Sequence, residues 1–188
     1  MSRLSSASGG HGLLADPTAE RSNCGVGVVM DLHGGRSHGV VADGLELLAN
    51  LEHRGTTGAE ENTGDGAGIT VQTPRELFAE EVPVDLPEEY AVGSIFLPKD
   101  DEAAADLKAL VEDVLAGHGL SVVHWRDVPT NNAALGKTAV DSEPDVVQAF
   151  VVPDGDPVDE TDEFDRKLYV GRRAVENAVR DEAPEGAD

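Results

Sequence analysis

The sequence contains one cysteine, Cys24, in 188 residues. A lone thiol forms no internal disulfide, and it cannot supply the several thiolates of a zinc site or an iron–sulfur cluster. Aromatic residues are also scarce, at 4%, so a core must be built from Val, Leu, Ile and Ala. No apolar run approaches the roughly eighteen residues that a membrane-spanning helix needs. The first 23 residues hold a single apolar pair, Leu13-Leu14, which is too little for a secretory signal. Basic side chains are few: 14 Lys and Arg face 37 Asp and Glu, a net charge of −23. Such a chain repels polyanions, which argues against nucleic acid and anionic membranes as partners.

The acids recur along the whole chain from Asp85 onward rather than in one block. That spacing describes a carboxylate-rich folded surface rather than an acidic tail. Salt screens the self-repulsion of such a surface, so the composition points to a salt-rich cytoplasm and a halophilic source. Residues 1–23 are rich in Ser and Gly without periodicity and are expected to form a disordered leader.

After the leader, "CGVGVVMDL" reads as a strand whose glycines admit close approach of other backbone. "SHGVVADGLELLANLEHRG" carries Val41, Leu45, Leu48 and Leu51 at helical spacing, with Ser37 as N-cap and Gly55 as stop. "TGDGAGITVQTP" is a glycine-rich turn entering a strand that ends at Pro74. Further strands are read in "YAVGSIFLP", "LSVVHWRDVP" and "DVVQAFVVP". Helices are read in "DDEAAADLKALVEDVLAGHG", capped by Asp100, and in "TDEFDRKLYVGRRAVENAVRDE", capped by Thr161. "TNNAALGKTAVDSEP" and "DGDPVDE" are loops by composition. The rough alternation of strand and helix on its own suggests a parallel α/β sheet, although two successive strands near the end break the pattern.

Three stretches could carry chemistry. Cys24 could be simply a small buried hydrophobe. If residues 1–23 are removed, however, its sulfur gains a free α-amine with a pKa near 8, able to take the thiol proton and return it to a leaving group. His53-Arg54-Gly55 reads equally as a helix end with favourable positive charge and a glycine cap. Gly64-Asp65-Gly66 and Gly68 precede a strand rather than open a helix, so they are not a dinucleotide fingerprint. "NNAALGKT" fails as a phosphate loop because Asn131 stands where the first glycine belongs. The histidines show no metal-ligand spacing, and no serine elbow is present.

Taken together, "NCGVGVVMDLHGGRSHGVVADGLELLANLEHRGTTGAEENTGDGAGITVQTP", "YAVGSIFLPKD", "VVHWRDVPTNNAALGKTA" and "LYVGRRAVENAV" resemble the opening of glutamate synthase large chains. That opening is their class II glutamine amidotransferase domain, and the likeness runs from residue 24 to about 180. "HWRDVPTN" separates this family from other class II amidotransferases. The resemblance implies an α+β fold, the αββα sandwich of N-terminal-nucleophile hydrolases, with two antiparallel sheets between helical layers; this displaces the parallel-sheet reading. It implies Cys24 as nucleophile and, once processed, as its own amine base. Arg54 and Gly55 would shape the substrate site, with Gly64, Asp65, Gly66 and Gly68 as a structural turn near it. No metal and no cofactor is implied in this chain. For a complete enzyme the resemblance implies FMN, an iron–sulfur cluster, and electrons from ferredoxin or a nicotinamide nucleotide.

The family's later segments, resembling His-x-Arg-Phe-Ser-Thr-Asn and His-Asn-Gly-Glu, clamp glutamine and form the oxyanion hole. Neither occurs in this sequence. Residues 24–188 are therefore expected to be the front part of the amidotransferase domain, leaving the sandwich incomplete and some strand edges unpaired. The chain alone is expected to turn over glutamine little or not at all, with the rest of the enzyme supplied in the same or a separate chain. A non-catalytic remnant or assembly module that pairs with such a chain is the alternative reading.

Overall fold

A computed structural model describes residues 25–51, 60, 62–64, 66–155 and 161–182. The chain divides into two units, Met1–Thr57 with Gly64–Ile69, and Gly58–Thr63 with Thr70–Asp188.

Among the described residues of the first unit the one regular element is α1, His38–Asn50. Ser37 starts it as predicted, its hydroxyl accepting from the Val40 N–H at 3.4 Å, which satisfies one of the orphan donors of a helix start. Among the described residues, none of 25–31 pairs with a strand. The strand expected at 24–32 is thus corrected: Val26, Val28, Met30 and Leu32 alternate as a strand face would, yet they stand 88%, 73%, 66% and 87% exposed. Period-two apolarity records a propensity, whereas a strand exists only through its neighbour's hydrogen bonds. The same correction applies to the strand expected after Gly68, where Ile69 and Val71 are exposed and no ladder forms.

The second unit is built on a three-stranded antiparallel sheet of β1 (Ala91–Leu97), β2 (Leu120–Asp127) and β3 (Asp145–Pro153) in the order β1-β3-β2. The sheet is antiparallel, as the αββα resemblance implied and the local alternation did not. β1 and β2 both run against β3, and helix α3 (Asp101–Ala116) connects them across it. An extra residue, Val123, bulges from β2 between Val122 and His124.

β3 is apolar on both faces, and each face has its own cover. Ala149 and Val151 lie with Leu120 beneath α3 and α5 (Thr161–Glu182), joined there by Val111, Leu115 and Phe164. On α5, Phe164, Leu168, Gly171 and Val175 recur at helical spacing toward this core. Gly171 permits the close approach: a Cβ there would stand 2.9 Å from a Leu115 methyl and 3.1 Å from a Leu120 methyl. α3 begins as predicted at Asp100, whose carboxylate accepts from the Ala103 N–H at 2.9 Å, with Asp101 and Glu102 favourably placed in its first turn.

On the other face, Phe150 meets Phe78 edge to face at 4.9 Å between ring centres, with Val82 and Tyr90 around them. Phe78 belongs to α2, Arg75–Glu81, a helix that the sequence reading missed. Its signals were present: Pro74 just before it, Glu76 in its first turn, and Phe78 and Val82 four residues apart. Seven residues give too short a period to stand out. Arg126 fastens α2 to the sheet, donating to Glu81 at 2.9 Å and to Gln148 at 3.1 Å. A second short helix, α4 (Lys137–Ser142), forms inside a segment expected to be loop.

Phe150 is 0% exposed, whereas Phe96 on β1 is 68% exposed. Replacing the buried ring should therefore cost about 3–5 kcal/mol. Phe96→Ala should stay within about 0.5 kcal/mol. Urea denaturation of both variants followed by circular dichroism measures the difference, and equal losses would contradict the two-faced core.

Candidate functional site

Cys24, Arg54, Gly55 and Asp65 lie outside the described residues. Gly64, Gly66 and Gly68 are described and exposed, and a Cβ at Gly66 or Gly68 would meet nothing within 4 Å. Nothing steric therefore demands glycine at these two positions in the turn.

The residues that follow Cys24 are held against α1. Gly27 lies so close to Leu47 that a Cβ there would overlap the Leu47 methyls. The sequence reading expected glycine here to admit backbone; the neighbour is instead a leucine side chain on a helix. The extended run then ends in a turn at Asp31, whose carboxylate accepts from the His33 N–H at 2.8 Å and whose carbonyl accepts from the Gly34 N–H at 3.0 Å. Gly34 takes a positive φ of 73°, which glycine adopts without strain.

A polar cluster in the second unit escaped the sequence reading. Glu60 accepts from the Thr63 hydroxyl at 2.8 Å and from the Thr138 backbone N–H at 3.1 Å. α4 starts at Gly136, which has no side chain to cap it, so Glu60 caps the helix from 78 residues away. Asn62 adds a bond from its amide to the Ala134 carbonyl at 3.3 Å. No local pattern could have revealed this, because a cap is read from the residue preceding a helix. The hydrogen bond from Thr63, followed by that from Thr138, holds the Glu60 carboxyl below the usual carboxylate range, against a smaller opposing effect of burial.

Among the described residues no group of three or more His, Cys, Asp or Glu could hold a metal ion, and no helix is long and apolar enough to cross a membrane.

Comparison with known proteins places these residues in context. A family model described as glutamine amidotransferases class-II matches residues 24–187. The chain is 39% identical over 176 residues to ferredoxin-dependent glutamate synthase 1 of Arabidopsis thaliana, covering 90% of this chain and 11% of that protein. It is 37% identical over 164 residues to the glutamate synthase [NADPH] large chain of Bacillus subtilis, covering 86% and 11%. To glutamate synthase [NADH] of Schizosaccharomyces pombe it is 35% identical over 175 residues, covering 88% and 8%. The chain thus spans about a tenth of the length of these relatives.

The depressed Glu60 pKa carries a sign. Its charged form is favoured by folding, so the stabilisation is complete above the ordinary glutamate range and fades as pH falls through the lower folded value. The Thr138 amide resonance should follow that acid titration, and in Glu60→Ala it should not. An unchanged titration in the variant would remove Glu60 as the cap.

Proposed function

The chain belongs to the class-II glutamine amidotransferases, and on that premise we propose that it forms the glutaminase front of a glutamate synthase, with Cys24 as nucleophile. The observation that carries this reading is that the family match begins at residue 24, which is the one cysteine of the sequence.

The mechanism follows from one residue supplying two groups. Removal of residues 1–23 frees the Cys24 α-amine, which accepts the thiol proton directly or through a water. The thiolate attacks the side-chain amide carbon of glutamine. The C–N bond breaks as the ammonium returns its proton to the leaving nitrogen, giving ammonia and a γ-glutamyl thioester. Water, deprotonated by the same amine, cleaves the thioester and regenerates the thiol with release of glutamate. Arg54 and Gly55 shape the pocket, and Gly64, Asp65, Gly66 and Gly68 form the turn bordering it.

Oxyanion donors of the kind held by the family's later segments are worth about a hundred- to a thousandfold in rate, so the chain by itself turns over glutamine weakly or not at all. In this reading the antiparallel sheet with α3 and α5 on one face would supply one half of an αββα sandwich. Ammonia would serve the reductive amination of 2-oxoglutarate in the complete enzyme, with ferredoxin or a nicotinamide nucleotide as electron source. An iron–sulfur cluster does not fit the residues present here, because one cysteine cannot ligate it, and no step on this chain passes through the cluster or through FMN. The acidic surface suits a salt-rich cytoplasm.

Mass spectrometry of the native protein should find its N-terminus at Cys24. In the enzyme carrying this chain, Cys24→Ala should lower glutamine hydrolysis at least about a thousandfold. Full activity with residues 1–23 still attached, or undiminished hydrolysis by the variant, would refute the mechanism.

A further inference from the structure

α5 turns one face to the core and leaves the opposite one bare. Phe164, Leu168, Gly171 and Val175 lie on the covered side. Half a helical turn away runs a second row: Asp162, Arg166, Tyr169, Arg173, Glu176 and Arg180, spaced alternately four and three residues apart. Glu176 is half-buried and the other five are exposed, Tyr169 to 64%. Alternating steps of four and three are the spacing of a seam between two helices. Here the row is charged where a coiled coil would be apolar, so it suits a contact that forms and dissolves in water.

The order of charges along the row points to what can cover it. From the N-terminal end it reads acid, base, ring, base, acid, base. Turned end for end and laid against itself, with position 171 level with position 171, the row matches throughout. Asp162 meets Arg180, Arg166 meets Glu176, and Tyr169 meets Arg173. A two-fold axis makes each pairing twice, giving opposite charges at both ends and a guanidinium on each ring. The matched row is about 27 Å long. Laid parallel, it would set Asp162 on Asp162 and Arg166 on Arg166, and like charges in contact are unfavourable.

Contacts within the helix leave cationic surface to spare. Arg172 and Arg173 both lean on Glu176, so two guanidiniums share one carboxylate. Their side chains remain 70% and 48% exposed. Tyr and Arg are also the residues that interfaces favour over the rest of a protein surface.

We propose that the outer face of α5 is a self-association surface, on which two copies of the chain pair antiparallel about a two-fold axis level with position 171. The occupant is a second copy because the row is complementary to its own reverse, a property that binding an unrelated partner does not require. One helix pair buries less than the roughly 1,600 Å² of a standard interface. Two chains of net charge −23 also repel each other at a distance. The dimer is therefore weak, and it forms where salt screens that repulsion.

Sedimentation equilibrium of the full 188-residue chain in about 0.5 M salt should show a dimer growing in between about 10 µM and 1 mM. Asp162→Arg and Arg180→Asp each set like charges opposite one another, and each variant alone should associate at least about tenfold more weakly. Mixed in equal amounts, the two should recover association to within about threefold of the parent, because each supplies the charge that the other lacks. Tyr169→Ala should weaken association about tenfold. Unchanged helical circular dichroism in each variant, with the rescue on mixing, separates a lost contact from a lost fold. A mixture that associates no better than its components overturns the proposal, as do single variants that pair like the parent. A parent chain still monomeric at about 1 mM overturns it as well and leaves this face to a partner other than the chain itself.

Discussion

β3 is the strand on which the second unit depends. Among the described residues it is the only one of the three with a neighbour on both edges, and it is apolar on both faces. Ala149 and Val151 require cover from one side, Phe150 and Val152 from the other. Helical cover therefore has to come from elements far apart in sequence, α3 and α5 above and α2 below. In a chain with 4% aromatics, two of the few rings are placed against each other at this centre. Edge-to-face contact of that kind contributes about 0.5–1.5 kcal/mol beyond the area buried.

The acidic surface does little of the holding. With 37 acids and 14 bases, most carboxylates have no cation to meet. The exposed pairs along α5, such as Arg172 with Glu176, belong to a class worth about 0–1 kcal/mol. Arg126 is different in kind: its side chain is 16% exposed and its fork reaches an acid on α2 and an amide on β3 together. Trp125, on the opposite face of the same strand, donates to Glu112 of α3 at 2.7 Å. Adjacent residues of β2 thus tie the sheet to the helices on both sides, and the polar contacts specify which helix lies where while apolar burial supplies the stability.

What could be read from the sequence, and what could not, divides along the same line. α3 and α5 were legible because fifteen or more residues of periodic apolarity outweigh local accident, and Asp100 caps α3 from the adjoining position. β1, β2 and β3 were legible as strands, but their antiparallel order was not, since pairing is decided between segments. The same fact undid the strands expected at 24–32 and after Gly68. α2 and α4 are too short for periodicity to declare them, and α4 owes its start to an acid that sequence proximity does not point to. Of the candidate site, Gly64, Gly66 and Gly68 fall among the described residues; Cys24, Arg54, Gly55 and Asp65 lie outside them. The motif resemblance therefore carried the functional reading, and geometry added residues that the motif does not contain.

That addition has a physical logic. A nucleophile that brings its own base, as proposed for Cys24, asks little of its neighbours by way of proton transfer, so what remains for the scaffold is placement. Gly27 is seated on Leu47, and the absence of a side chain there lets the backbone come close to α1. Gly136 repeats the device beside Glu60, where three oxygens occupy the space a methyl would take. In both cases the residue that matters is one whose side chain is missing, matched to a partner more than fifteen positions away. Reactive groups announce themselves by residue type; close packing contacts do not, and they emerge only when the chain has folded far enough to bring a glycine and its distant neighbour together.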